Sequence, residues 1–150
     1  MQTEAGSKTG SFLISCLLAW TVTQVIKVLV HKRNSGRFDI KRLFGDGGMP
    51  SAHSATVCAL TMMCALQCGM GSPIFAISAI LAIVVCHDAM HVRKEVEKHA
   101  AFILELKKTI PGSIELPGNE PKQFVGHSLL QVVVGVLIGC AVSTAVYFFL

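Results

Sequence analysis

Four long apolar stretches alternate with polar segments along the 150-residue chain. A bilayer core of about 30 Å takes about 20 helical residues. The four stretches are of this order, the third being short and the fourth the longest. The predicted spans cover residues 11–30, 51–69, 72–88 and 124–150. The pattern therefore predicts an all-α protein, an integral membrane bundle of four transmembrane helices. Residues 11–150 would form a single membrane domain, and the polar residues 1–10 would be mobile.

The connections between the spans have patterns of their own. Gly69-Met70-Gly71 predicts a tight hairpin between spans two and three. Between spans three and four, apolar residues recur at roughly helical spacing with Lys and Glu between them. They are Val92, Val96, Ala100, Ile103, Leu106 and Ile110. This pattern predicts an amphipathic helix over about 92–110 that lies at the membrane interface.

The charge distribution separates the two sides of the membrane. Only 15% of residues are charged and 52% are hydrophobic, whereas soluble domains carry about 25% charged residues. The connections 31–50 and 90–123 together hold eleven Lys and Arg residues, and the opposite side holds Lys8 alone. The positive-inside rule predicts that both connections face the cytoplasm or its organellar equivalent. Both termini would then lie on the other side.

The four-span topology gathers polar residues from distant parts of the sequence at one membrane face. They are Lys27, Ser51, His53, His87, Asp88, His91, Arg93 and His127. Ionisable residues near a bundle interior are candidates for function. The alternative is that they are ordinary anchors at the ends of spans, with Lys27 extending its amine to the interface.

These residue types suit phosphate chemistry. Gly47, Gly48 and Ser51 lead into a predicted helix N-terminus, where backbone N–H groups and the helix dipole favour an anion. Lys and Arg add positive charge. One histidine could attack phosphorus while a second protonates the leaving oxygen. No cofactor is required, and none is expected.

A metal site is the alternative reading of the histidines in this region. His87, His91, Glu95 and His99 follow one another at intervals of four residues, and therefore form one stripe on a helix. Two histidines four residues apart can bind one transition metal ion, so His87 and His91 are the candidate pair. The other interpretation, and the one we favour, is a hydrated helix face without metal.

Three segments resemble a known family. "GGMPSAHSATV" (47–57) resembles the hallmark of the divergent branch of the type 2 phosphatidic acid phosphatase superfamily, which groups acid phosphatase/vanadium-dependent haloperoxidase-related membrane proteins. "HDAMHVRKEVEKHA" (87–100) and "VGHSLLQVVVGVLIG" (125–139) are similar to two further segments of that branch, and "QVIKVL" in span one also matches. The resemblance runs from about residue 24 to residue 139.

The resemblance implies a hydrolase for a lipid or polyprenyl phosphate, embedded in the membrane and without a nucleic-acid partner. His127 would be the nucleophile that forms a phosphohistidine, and His53 the general acid. Lys27, Ser51 and Arg93 would hold the phosphate oxygens, together with the glycine-rich loop at Gly48.

Two of the departures from the family pattern bear most on the predicted chemistry. Gln131 lies four residues after His127, where the branch has Glu. On a helix the Gln131 amide would meet the His127 ring, and it would accept a hydrogen bond from the ring without supplying a negative charge. Pro121 replaces an Arg of the wider superfamily, which leaves Arg93 as the substitute.

These departures keep a second interpretation open. The chain could be a weak or inactive family member that serves as a binding or structural subunit of a larger membrane complex. Small residues in span four would then allow close helix packing: Gly135, Gly139, Ala141 and Ser143.

Overall fold

The chain forms five α-helices in a computed structural model that describes residues 2–36, 48–109 and 126–150. The helices are α1 (Gln2–Ser35), α2 (Ala52–Cys68), α3 (Pro73–Met90), α4 (Val92–Thr109) and α5 (Leu129–Phe149). These described ranges contain no strand. The predicted all-α class is therefore confirmed.

Three helical segments are long and apolar enough to cross a membrane: Gly10–Arg33, Pro73–Thr109 and Leu129–Phe149. The helix α2 is also apolar but shorter, with 17 residues. Large apolar side chains on the outside of the bundle are exposed, as Leu17, Ile77 and Leu137 show. Lipid rather than protein covers such surfaces in a membrane bundle, so the membrane-protein class that the hydropathy predicts is confirmed.

The helix α2 is the centre of the bundle and packs against α1, α3 and α5. Its contact with α5 is close because two glycines of α5 face the α2 backbone. A Cβ atom on Gly135 would lie 2.5 Å from the carbonyl oxygen of Ser51, and one on Gly139 would lie closer still to that of Ala55. Small residues let helix backbones approach in this way.

Among the small residues of α5 that the sequence singles out for close helix packing, Gly135 and Gly139 contact α2. Ser143 is also fully buried, and Ala141 is exposed. A role of these residues in a larger complex stays a prediction.

The predicted hairpin between α2 and α3 is confirmed. Gly69 ends α2 with a φ of 82°, a conformation that glycine adopts without strain, and its N–H donates to the carbonyl of Ala65 at 3.1 Å. Ser72 then caps α3 by accepting a hydrogen bond of 3.2 Å from the N–H of Phe75. Pro73 at the first helical position needs no hydrogen-bond partner for its nitrogen.

The helices α3 and α4 are separated only by His91. Apolar residues of α4 are exposed between its charged ones, with Val92 54% and Phe102 60% accessible, and Ala100 is buried. This distribution agrees with the predicted amphipathic helix at 92–110, whose last predicted residue lies outside the described ranges.

Two helix starts differ from the sequence-based expectation. The helix α1 begins at Gln2 rather than at residue 11 and continues to Ser35; the mobility of residues 1–10 stays a prediction. The helix α5 begins at Leu129, although span four is predicted from residue 124. Residues 110–125, which include Pro121, lie outside the described ranges.

Candidate functional site

The end of α3 and the starts of α2 and α5 are joined by backbone hydrogen bonds. The N–H of His127 donates to the carbonyl of Ala89 at 3.0 Å, which fixes the segment before α5 against the last turn of α3. The N–H of Ser51 donates to the carbonyl of Gln131, also at 3.0 Å. Residues that are far apart in sequence therefore meet at one end of the bundle.

The glycine-rich loop lies against the Lys27 side chain at this same end. Gly48 has a φ of 102°, which disfavours any other residue, and a Cβ atom there would lie 3.5 Å from Cγ of Lys27. Lys27 itself is only 4% exposed. The Lys27 side chain therefore adds positive charge to the end of the bundle that also holds His127.

Ser51 begins α2 as its N-cap. The Ser51 hydroxyl accepts a hydrogen bond from the Ser54 N–H at 3.4 Å and another from the Ser54 hydroxyl at 2.9 Å. Both serines are fully buried. The first turn of α2 thus directs its backbone N–H groups and the positive end of its dipole toward the end of the bundle that holds Lys27 and His127.

His127 is 2% exposed, and neither ring nitrogen has a hydrogen-bond partner among the described residues. Burial lowers the pKa of the imidazole below its ordinary value, and the positive charges of Lys27, His53 and Arg93 lower it further. The backbone of Gly126 partly opposes this decrease in pKa. The ring is therefore neutral at pH 7 and has a nitrogen lone pair available for attack. Lys27, His53 and Arg93 are thus close enough to His127 for their charges to affect it, and we call these four residues the four-residue cluster.

Arg93 lies in the first turn of α4 and pairs with Asp88 in the last turns of α3. Its Nε atom donates to Oδ2 of Asp88 at 2.8 Å, and the two side chains are 27% and 38% exposed. Sequence reasoning placed Asp88 at this face but gave it no partner. The pair spans the junction between the two helices at His91.

Gln24 is a further buried polar residue that sequence reasoning assigned no role. It lies one helical turn before Lys27, is 5% exposed, and its Oε1 atom has no hydrogen-bond partner among the described residues. The sequence feature that could have identified Gln24 is a polar amide within an apolar span, three residues before the only lysine of that span.

The expected contact between Gln131 and the His127 ring is absent. Because α5 begins at Leu129, His127 precedes the helix and the two residues do not share a helical face. The Gln131 amide oxygen instead accepts a hydrogen bond from the N–H of Ser128 at 3.0 Å, and the Ser128 hydroxyl accepts from the Gln131 N–H at 3.4 Å. These reciprocal bonds form a capping box that begins α5.

The candidate metal pair consists of two stacked, exposed rings. The centroids of His87 and His91 are 4.3 Å apart with an interplanar angle of 13°. Within the described ranges, no group of three or more His, Cys, Asp or Glu residues could hold a metal ion. A metal ion bound by the His87 and His91 pair alone stays an untested alternative.

An apolar cavity of about 380 Å³ lies away from the four-residue cluster. It is bounded by α1, the second half of α2 and the first half of α3, and its lining residues are Phe12, Leu60, Cys64, Ile74, Ile77, Ser78 and Leu81. Near that end of the bundle, the Gln67 amide donates to the Ser11 hydroxyl at 2.6 Å. The cavity therefore belongs to the opposite end from the histidines.

The geometry defines a class of protein. It is a membrane helix bundle that carries histidines, a lysine and an arginine at one end. The chain belongs to the Divergent PAP2 family, whose profile matches residues 9–142. It is also 35% identical to YuiD, an uncharacterized membrane protein of Bacillus subtilis (strain 168), over 92% of this chain and 95% of that protein. No solved structure matches the chain. The family resemblance of the three sequence segments is thereby confirmed.

Proposed function

We propose that the protein is a membrane phosphatase that acts on a lipid or polyprenyl phosphate through a phosphohistidine. The observation that carries this proposal is His127: a buried, neutral imidazole without a hydrogen-bond partner among the described residues, beside Lys27 and Arg93. A neutral ring supplies the nucleophile, and the two cations favour the phosphate group that it would attack.

The proposed reaction has two steps. A ring nitrogen of His127 attacks phosphorus, and a P–N bond forms as the P–O bond to the alcohol breaks. His53 gives a proton to the departing alcohol oxygen. Water then attacks phosphorus, the P–N bond breaks with its electrons returning to the imidazole, and His53 takes the proton of that water. Inorganic phosphate is released.

The phosphate oxygens would be held by positive charge and by hydrogen-bond donors. Lys27 and Arg93 supply the charge, while Ser51 and the first turn of α2 supply donors next to the loop at Gly48. The Gln131 amide has a structural role in this proposal, because it caps α5. We place this end of the bundle at the cytoplasmic-type face, on the basis of the basic residues in the adjoining connections.

Phosphate release from a ³²P-labelled lipid phosphate tests the proposal. The purified wild-type chain in detergent should release phosphate and retain an acid-labile, base-stable label on the protein, the behaviour of a phosphohistidine. His127→Ala should lose both. The matched control is His99→Ala, which removes an exposed histidine on α4 and should leave both unchanged.

The leaving group separates the roles of the two histidines. His53→Ala should slow turnover of an alkyl phosphate by about 10² to 10⁴, the usual contribution of a general acid. It should slow a nitrophenyl phosphate much less, because nitrophenolate leaves without a proton. Equal losses for both esters would contradict the role of His53. Turnover that persists in His127→Ala would contradict the nucleophile role of His127. Absence of turnover from the wild type would favour a binding or structural subunit of a larger membrane complex.

A further inference from the structure

The ion pair between Asp88 and Arg93 uses only one part of the guanidinium group. The bond of 2.8 Å runs from Nε, the nitrogen nearest the aliphatic stem, to Oδ2 of Asp88. Arginine has five N–H donors, and four of them are on the two terminal nitrogens. Among the described residues, no hydrogen-bond partner occupies those terminal nitrogens, although the Arg93 charge acts on His127.

The geometry points to Asp88 as the residue that positions Arg93 for a phosphate group beside His127. A carboxylate that holds Nε fixes the plane of the guanidinium and leaves the outer edge, with both terminal nitrogens, for a bidentate contact with two phosphate oxygens. Asp88 acts through Arg93 and does not touch the phosphate. This inference rests on the proposed function, because it needs an anion at the four-residue cluster.

An ordinary ion pair between α3 and α4 is the competing explanation. Pairs as exposed as this one contribute little to stability, so their removal has a small effect on folding. The two explanations differ in whether the loss of the Asp88 carboxylate strengthens or weakens anion binding. Through space, a carboxylate repels a nearby anion, so its loss should tighten anion binding. If Asp88 positions Arg93, its loss should weaken anion binding.

Orthovanadate binding to the purified full-length chain measures this sign without requiring turnover. Asp88→Ala should raise the Kd for vanadate by about tenfold, the scale on which orienting residues act in metal sites. Asp88→Asn retains an oxygen that can accept from Nε, so it should restore most of the affinity. Glu95→Ala is the matched control, because it removes one carboxylate from an exposed ion pair with Lys98 on α4. Its Kd should stay within about twofold of the wild type.

A double-mutant cycle shows whether Asp88 acts through Arg93. In an Arg93→Gln background, Asp88→Ala should no longer raise the Kd. An unchanged tenfold loss in that background, or tighter binding by Asp88→Ala alone, would overturn the positioning role and leave the proposed function intact. Failure of the wild-type chain to bind vanadate would contradict the proposed function, and the role of Asp88 with it.

Discussion

The backbone N–H of His127 donates a hydrogen bond of 3.0 Å to the carbonyl oxygen of Ala89, thirty-eight residues earlier in the chain. This bond joins the segment before α5 to the last turn of α3 without involving the imidazole. Gly126 adds to the contact, because its N–H donates to Oε2 of Glu97 at 3.2 Å and a Cβ atom there would lie 2.8 Å from Cα of Lys94. A substitution of the His127 side chain therefore leaves this backbone connection intact.

The buried imidazole predicts a pH dependence of stability. The pKa of His127 is lowered in the folded protein, mainly by burial and then by Lys27, His53 and Arg93. Below its ordinary value of 6.5, the unfolded chain binds a proton that the folded chain does not. The free energy of unfolding should therefore be highest above pH 6.5 and fall as the pH drops toward the folded-state pKa.

Thermal unfolding in detergent between about pH 8 and 5 measures this dependence. His127→Gln, which has no titratable group, should show a shallower decline on the acid side than the wild type. His99→Gln, on the exposed face of α4, should decline as the wild type does. A His127→Gln profile that parallels the wild type would show that other groups govern the acid sensitivity.

The close contact of α2 and α5 predicts a large cost for one added methyl group. Gly139→Ala would bring its Cβ against the Ala55 carbonyl oxygen, so either the two helices separate or α5 shifts. We expect a loss of about 1–3 kcal/mol in unfolding free energy, as in other overpacked interiors. Gly71→Ala is the control, because no atom lies within 4 Å of the added Cβ. Equal melting temperatures for the two variants would refute this packing.

The capping box at the start of α5 predicts a small effect of Gln131→Glu. Glutamate fits the same cap and adds a negative charge near a helix N-terminus, so stability should rise by about 0.3–1 kcal/mol. The amide contacts the Ser128 backbone rather than the His127 ring, so the rate of phosphate release should change by less than about threefold. A rise of about 10² or more would mean that residue 131 leaves the cap and pairs with the ring during catalysis.

The proposed topology predicts which positions react with a membrane-impermeant thiol reagent. Single cysteines at Lys32, at the end of α1, and His99, on α4, should be labelled from the same side of the membrane; both residues are exposed. A cysteine at Met70, in the exposed hairpin between α2 and α3, should be labelled from the opposite side. The background should have the six native cysteines replaced. Labelling of all three positions from one side would exclude the arrangement.

The hydropathy pattern was sufficient to predict the membrane helices, because about 20 apolar residues can only be accommodated as a helix in a bilayer. The start of α3 is equally predictable from the sequence, because Ser72 and Pro73 are typical of an N-cap and a first helical position. The hydropathy pattern places the start of span four before that of α5, although Ser128 followed three residues later by Gln131 is a capping-box pattern. The apolar residues on both sides of this pattern extend the predicted span beyond the true helix start.

The cluster itself could be predicted only in part. The order of the spans brings Lys27, His53 and His127 to one end, and that requires no knowledge of side-chain conformation. The pair of Asp88 and Arg93 could not be predicted in the same way. Residues five apart do not face each other on a regular helix, and only the interruption at His91 brings the two side chains together.

The glycine contact between α2 and α5 also affects which residues of the site can move relative to one another. His53 belongs to α2, and His127 lies two residues before α5, so both histidines lie on or next to the helix pair that the glycines bring into close contact. Lys27 and Arg93 belong to helices outside that pair. A change in bilayer thickness alters helix tilt. The helix α1 can adjust its tilt without separating the histidines, whereas α3 is joined to the His127 backbone through Ala89. Membrane thickness should therefore change the position of Lys27 relative to the two histidines more than it changes the distance between the histidines.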